Sequence, residues 1–290
     1  MTSLRTLNAI ATVLHYILAI GFTWFFLYLN HTYPNHPLPG VEISARDHSL
    51  QLGTDVSGNI TVDWKSTKIA TFPVEWVQTM LVSFFVITGS FHLFYYTTDV
   101  PNGYYHQAVR NNNNYFRWIE YSVTSTLMLY IMALVTGTKD TGVYMMLLSS
   151  NVAMIAMGQW VEESVHYGGS WWLPMATSFL LLVVEFVVIA RNLFSRLDEI
   201  ALFLNANQSN PNVTKFFIPG WLKPMVIVLF LFYISFGFLS LYGAYSGTSY
   251  ETIEMWYIIL SLVAKATLGA FVGYGLGLRQ QGLLTPSINL

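Results

Sequence analysis

Seven long apolar segments restrict the fold of this 290-residue sequence more than any other feature. A helix needs about 20 apolar residues to cross the hydrocarbon core of a bilayer, which is roughly 30 Å thick. Only 10% of the residues are charged, whereas about a quarter are charged in a typical soluble domain. The sequence therefore predicts an all-α membrane protein with one seven-helix domain over residues 1–290. The predicted spans are 7–29, 75–97, 105–136, 141–163, 171–193, 221–245 and 251–277.

The charge balance and the absence of cysteine exclude several classes of function. The sequence has 13 Lys and Arg against 15 Asp and Glu and no basic stripe, so nucleic-acid binding is not expected. Without cysteine, disulfides, thiolate metal ligands and cysteine nucleophiles are excluded. The histidines do not pair at metal-ligand spacing and no nucleophile motif occurs, so neither a metal site nor an enzyme is expected.

Two connections between the spans are long and polar. In residues 30–74 the second half alternates apolar and polar residues, which predicts a small β-hairpin on the membrane surface. Residues 194–220 are predicted to form a polar, Asn-rich loop. Both loops follow odd-numbered spans and therefore lie on the same side. The first span is expected to be a membrane helix, because its apolar stretch is too long for a cleavable signal.

Two indicators of orientation disagree. Apart from Lys265, three basic residues lie towards the N-terminal side and nine towards the opposite side, which favours an extracellular N-terminus. However, glycosylation sequons begin at Asn59, Asn207 and Asn212, on the two long loops, and sequons are glycosylated only outside the cytoplasm. Charge counting and sequons thus place the N-terminus on opposite sides.

Lys265 lies near the middle of the seventh span, in the segment Ser261-Leu-Val-Ala-Lys265. A charge at the centre of a bilayer costs at least ~2.5–3.5 kcal/mol, so its presence needs a reason. The lysine is too far from either helix end to reach the interface easily. Three explanations stay open: a structural ion pair with a carboxylate, a water-filled ion path, or a Schiff base with a carbonyl ligand.

Glu120 in the third span is the candidate partner of Lys265. The third and seventh spans run in the same direction, so depths can be compared from their starts. If the third span begins near Tyr104, Glu120 lies about 16 residues into it and Lys265 lies about 14 residues into its own span. The two side chains are therefore predicted to meet. Arg117 precedes Glu120 by three residues and shares its helix face.

A lysine in the seventh span that faces an Arg-x-x-carboxylate pattern in the third resembles the microbial rhodopsins. Light-driven pumps have aspartate at the places of Ser261 and Glu120, and the pattern here resembles heliorhodopsins instead. The motifs that carry this resemblance are Arg117-Trp-x-Glu120-Tyr-Ser, Ser261-x-x-x-Lys265, Leu-His15-Tyr, Phe-His92-Leu, the fourth-span run Asn151-Val-Ala-Met154-Ile-Ala-Met-Gly158, and Glu162-Glu163. Together they extend over all seven spans.

The resemblance implies all-trans retinal bound to Lys265 as a protonated Schiff base, with Glu120 as its sole carboxylate counterion. Ser261 would hydrogen-bond the Schiff base or a neighbouring water. His15 and His92, aided by Arg117, would form a polar cavity that accepts the Schiff-base proton, a role that suits histidine. For His92, an ordinary hydrogen-bonded position in a helix-packing layer is an equal alternative.

The resemblance also provides candidates for the retinal pocket and for the assembly. The pocket candidates are Tyr121, Ser125, Asn151, Met154 and, on the sixth span, Phe232 or Phe236. Ordinary core packing is the alternative for Met154 and Tyr121. Heliorhodopsins have a cytoplasmic N-terminus and an extracellular C-terminus, and they use the first long loop in dimer contacts. A homodimer with an unknown cytoplasmic signalling partner is therefore implied.

Glu185 in the fifth span is the remaining intramembrane carboxylate that needs an explanation. It lies among aliphatic residues and could serve as a proton waypoint, or it could be a neutral acid hydrogen-bonded between helices. Where an outward pump has its donor carboxylate, this sequence has Ile131. We therefore expect a light-sensing protein that retains its proton internally, with a light-gated proton channel through Glu185 as the alternative. A G-protein-coupled opsin is disfavoured, because its Asn-Pro-x-x-Tyr and paired-cysteine features are missing.

Overall fold

The computed structural model describes residues 2–33, 41–54, 58, 60–72, 75–206 and 220–280. These residues form eight helices and two strands. The helices are α1 (Thr2–Thr32), α2 (Glu75–Thr98), α3 (Tyr104–Arg110), α4 (Tyr115–Val135), α5 (Thr141–His166), α6 (Trp172–Ala206), α7 (Leu222–Ser246) and α8 (Tyr250–Gln280). The strands are β1 (Val41–Thr54) and β2 (Ile60–Phe72).

Among the described helices, seven are long and apolar enough to cross a membrane, and only the short α3 is not. The predicted seven-helix membrane bundle is therefore confirmed. Neighbouring membrane helices pack in sequence order, and α8 closes the ring by packing against both α7 and α1. This closure places the middle of α8 opposite α1, α2 and α4.

The third predicted span is wrong at its start. Instead of one helix from residue 105, the chain forms α3, a turn, and then α4 from Tyr115. Four consecutive asparagines, 111–114, occupy the turn, and Asn112 adopts a positive φ of 51°. Asparagine tolerates this left-handed conformation better than most residues do, which explains why the helix stops here.

The fifth span is longer than predicted, because α6 continues to Ala206. Residues 194–206 therefore belong to a helix and not to a polar loop. Leu193 and Leu197, four residues apart, are both buried and extend the apolar stripe past the predicted end. The sequon residues Asn59, Asn207 and Asn212 lie outside the described residues.

Between α1 and α2 the chain forms a two-stranded antiparallel sheet. Val41 pairs with Phe72 and Thr54 pairs with Ile60, so the pairing extends over both halves of the connection and not over its second half alone. The register shifts twice, between Ile43 and Ser44 and between Arg46 and Leu50.

The interior of the bundle has an apolar half and a polar half. Towards the ends of α1 and α4 it is filled by aliphatic and aromatic residues such as Leu29, Phe84 and Met132. Towards the side at which α1, α4 and α8 begin, the buried residues include many polar ones. These are Asn8, Thr12, His15, Thr88, His92, Asn114, Arg117, Glu120, Thr124, Glu254, Ser261 and Lys265. Burial of so many polar groups on one side of a membrane bundle marks a functional site.

Candidate functional site

Lys265 and Glu120 form a buried ion pair at the centre of the polar half. The Lys265 Nζ lies 3.0 Å from Glu120 Oε1 and donates to the Ser261 hydroxyl at 2.8 Å. Lys265 is 3% exposed and Glu120 is 1% exposed. A buried charge is tolerated when a close opposite charge and further hydrogen bonds accompany it, as they do here.

The Lys265 side chain extends towards the start of α8 to meet Glu120. Glu120 is only five residues from the start of α4, whereas Lys265 is fifteen from the start of α8, so counting depth from Tyr104 was incorrect. Helical side chains tilt towards the N-terminus of their helix. The Lys265 side chain follows this rule and reaches back by one turn to the level of Ser261.

A cavity adjoins Lys265 and extends between α4, α5, α6 and α7. Aromatic and apolar side chains form most of its wall, with a few hydroxyl groups. Of the predicted pocket residues, it is lined by Tyr121, Ser125, Met154, Phe236, Ser261 and Lys265.

Asn151 and Phe232 are not among the residues that line this cavity. The Asn151 amide instead donates to the hydroxyls of Ser125 and Thr126, at 2.8 Å in each case. Asn151 therefore supports the cavity wall from behind by fixing Ser125. Trp118, which sequence reasoning did not select, does line the cavity and packs tightly against Gly158.

His15 and His92 lie together between α1 and α2. Their rings stack with 5.3 Å between centroids. The His15 Nδ1 lies 2.7 Å from the Ala11 carbonyl, and the His92 Nδ1 lies 2.8 Å from the Asn8 side-chain oxygen. Both Nε2 atoms are buried and have no partner among the described residues. Such orphaned polar atoms are commonly satisfied by buried water, which supports a hydrated polar cavity.

Arg117 does not pair with Glu120, although the two are three residues apart on α4. Its guanidinium donates instead to Glu254 on α8 and to Glu162 on α5. Sequence reasoning missed Glu254. A signal was present, because Glu254, Ser261 and Lys265 lie on one face of α8 at spacings of seven and four residues.

Glu185 lies in the middle of α6 and is 0% exposed. Neither of its carboxylate oxygens makes a hydrogen bond of acceptable geometry with any described residue. The Ser150 hydroxyl lies close by but donates to the Met146 carbonyl at 2.8 Å. Glu185 is therefore not part of the Lys265 pair, and Ser150 on α5 is a polar neighbour of its buried carboxyl group.

Comparison with known proteins identifies the family. The sequence matches the heliorhodopsin family model over residues 4–276, which is nearly the whole chain. The chain belongs to the heliorhodopsin family. It is therefore a multi-pass integral membrane protein of a retinal-binding, light-sensing class that is generally not enzymatic.

A solved structure and the curated proteins were also compared. The thermophilic rhodopsin from Rubrobacter xylanophilus is similar over 94% of this chain and 99% of its own, with 17% sequence identity and a TM-score of 0.49. No curated protein is significantly similar to the sequence.

Proposed function

We propose that this heliorhodopsin senses light through all-trans retinal bound covalently to Lys265, with Glu120 as the counterion. The observation that carries the proposal is the position of Nζ, which is buried, lies 3.0 Å from Glu120 and adjoins a largely apolar cavity. A polyene aldehyde needs these features: an amine to bind, an anion to balance the protonated imine, and an apolar space for its chain.

The fit extends to the shape of the cavity. Tyr121 and Phe236 meet edge to face, with ring centroids 5.5 Å apart, and both contribute to the wall. Gly158 allows the Trp118 ring to approach α5 closely. When bound, retinal would supply the absorption of visible light and an isomerisation that disturbs the imine nitrogen.

The residues around Lys265 favour retention of the proton inside the protein. Glu120 holds the positive charge at Nζ, and the Ser261 hydroxyl accepts one further hydrogen bond from it. His15 and His92 provide two imidazoles with unpartnered nitrogens for the proton to reach. Ile131, at the place of a pump's donor, has no titratable group. A proton that moves only between these groups produces a signal and no net transport.

The remaining parts of the proposal concern the assembly. We place the N-terminus in the cytoplasm and the C-terminus outside, in agreement with the sequons. The β1–β2 sheet then lies on the extracellular side, where we expect it to contribute to a homodimer. The polar half of the bundle faces the cytoplasm, where a signalling partner would detect the change.

Reconstitution with retinal tests the attachment. The unchanged protein should form a visible pigment, and Lys265→Ala should form none, because the variant loses the only amine that lines the cavity among the described residues. Lys223→Ala is the matched control, since Lys223 is an exposed lysine at the start of α7. A pigment in Lys265→Ala that absorbs like the unchanged protein would refute the attachment.

A light-gated proton channel is the second candidate, and the burial of Glu185 in the middle of α6, outside the Lys265 pair, favours it. Light-induced current in voltage-clamped cells separates the two functions. No current above background supports the sensor. A current that reverses with voltage and is lost in Glu185→Gln, but persists in the control Glu75→Gln at the exposed start of α2, supports the channel.

A further inference from the structure

The guanidinium of Arg117 makes no hydrogen bond to the Lys265–Glu120 pair, although Arg117 lies on the same helix as Glu120. On α4, Arg117 and Glu120 are three residues apart, a spacing at which arginine and glutamate usually pair. The guanidinium donates instead to Glu254 and Glu162. It is 3% exposed, so the cation is almost enclosed by protein.

Aromatic rings complete the environment of this guanidinium. Its central carbon lies 4.2 Å from the Tyr257 ring centroid, 4.9 Å from that of Trp118 and 5.7 Å from that of Tyr250. These rings attract the cation but would attract it in several orientations. The two carboxylates therefore decide its direction.

Glu254 is itself fixed by residues from outside α8. Asn114 donates to Glu254 Oε1 at 2.6 Å, and the Tyr105 hydroxyl donates to the same oxygen at 3.4 Å. Burial raises the pKa of Tyr105, so its hydroxyl keeps the proton that it donates. With Asn114 and Tyr105 on one oxygen and Arg117 on the other, the carboxylate has a defined position.

We propose that Glu254 is a positioning residue that keeps Arg117 away from Glu120, so that the Glu120 charge acts on the Lys265 nitrogen alone. This inference rests on the proposed attachment of retinal to Lys265. If Arg117 turned to Glu120, the carboxylate would divide its interaction between two cations. The nitrogen would then hold its proton less strongly, and the pigment would absorb at longer wavelength.

The test compares Glu254→Gln with the double variant Arg117→Gln/Glu254→Gln. In Glu254→Gln the absorption maximum should shift to longer wavelength, and the pH at which the imine loses its proton should fall by about one unit. In the double variant both values should return towards those of the unchanged protein, because no arginine remains to share Glu120. Glu254→Asp, which keeps the charge, should shift the maximum less than Glu254→Gln.

Thermal unfolding of the retinal-free proteins gives a readout that does not depend on the pigment. Glu254→Gln should unfold at a lower temperature than the unchanged protein, and the double variant should recover part of the loss, because its buried cation is also removed. If Glu254→Gln does not fold, the double variant and Glu254→Asp still test the proposal. The double variant should then absorb like the unchanged protein.

Two results would overturn the inference without affecting the proposed function. One is an unshifted maximum in Glu254→Gln. The other is an equal shift in the single and double variants, which would mean that Glu254 acts on the pigment without Arg117. Failure of the unchanged protein to form any pigment would instead refute the proposed function, and this inference with it.

Discussion

Lys265 on α8 and Glu120 on α4 form an ion pair of 3.0 Å that is nearly enclosed by protein. Apart from Glu120, the Lys265 Nζ has one hydrogen-bonding partner among the described residues, the Ser261 hydroxyl. When a buried pair has so few supporting groups, each partner depends strongly on the other. The pair therefore joins α4 to α8, as does the ion pair of Arg117 with Glu254.

Replacement of Glu120 should affect both stability and colour. In the retinal-free protein, Glu120→Gln leaves the Lys265 charge uncompensated, and we expect the free energy of unfolding to fall by roughly 3–5 kcal/mol. In the pigment, loss of the anion should move the absorption maximum to longer wavelength. Denaturant unfolding and absorption spectra measure the two effects, with Glu75→Gln as the exposed control. An unmoved maximum would contradict the assignment of Glu120 as counterion.

Replacement of Ser261 should have a smaller effect. Ser261→Ala removes the 2.8 Å hydrogen bond to Nζ but leaves Glu120 in place. We expect a loss of about 0.5–1.5 kcal/mol in unfolding free energy and a pigment that still forms. The matched control is Ser235→Ala, because the Ser235 hydroxyl donates only to a carbonyl of its own helix turn. Loss of the pigment in Ser261→Ala would mean that Glu120 alone cannot hold the charge.

The close contact of α5 with Trp118 gives a steric test of the cavity. A methyl group at Gly158 would overlap the Trp118 ring, which lines the cavity and donates to Glu162 at 2.7 Å. Gly158→Ala should therefore displace the ring, lower the yield of pigment and move its absorption. At Gly21 in α1 an added methyl group meets nothing within 4 Å, so Gly21→Ala should leave the pigment unchanged. Equal pigment from both variants would exclude this cavity as the retinal site.

The stacked rings of His15 and His92 give a prediction about where the Schiff-base proton goes after illumination. Replacing both histidines by phenylalanine preserves ring packing but removes every imidazole nitrogen from this cluster. After a flash, the fraction of pigment that loses its proton should fall well below that of the unchanged protein, as measured by transient absorption. His106→Phe, on the partly exposed α3, is the control. An unchanged fraction would place the proton acceptor elsewhere.

The sequence predicted the Lys265 and Glu120 pair because charged residues are rare in membrane spans and few partners are available to them. The sequence did not predict that Arg117 would bind Glu254. The spacing between Arg117 and Glu120 shows only that they are neighbours on one helix, and it gives no information about carboxylates on other helices that compete for the arginine. Glu254 lies near the predicted start of its span. Acidic residues are common at the start of a helix because they interact favourably with the helix dipole, so Glu254 did not stand out as a site residue.

The boundaries were harder to predict than the spans themselves. The turn at residues 111–114 is set by asparagine conformation, which hydropathy does not register. The extension of α6 to Ala206 runs through an apolar segment, 200–204, that is separated from the predicted span by the polar residues 195–199 around Leu197. Among the pocket candidates, Asn151 is not one of the residues that line the cavity, because its amide is occupied by Ser125 and Thr126.

The central claim is the bond between retinal and Lys265, and chemical trapping tests it most directly. Borohydride reduction of the illuminated pigment converts the imine to a stable amine, and mass spectrometry of the digested protein then locates the added group. The account predicts a retinyl group on the peptide that contains Lys265 and on no other. A retinyl group on a different lysine, or a pigment that releases all its retinal after reduction, would contradict it.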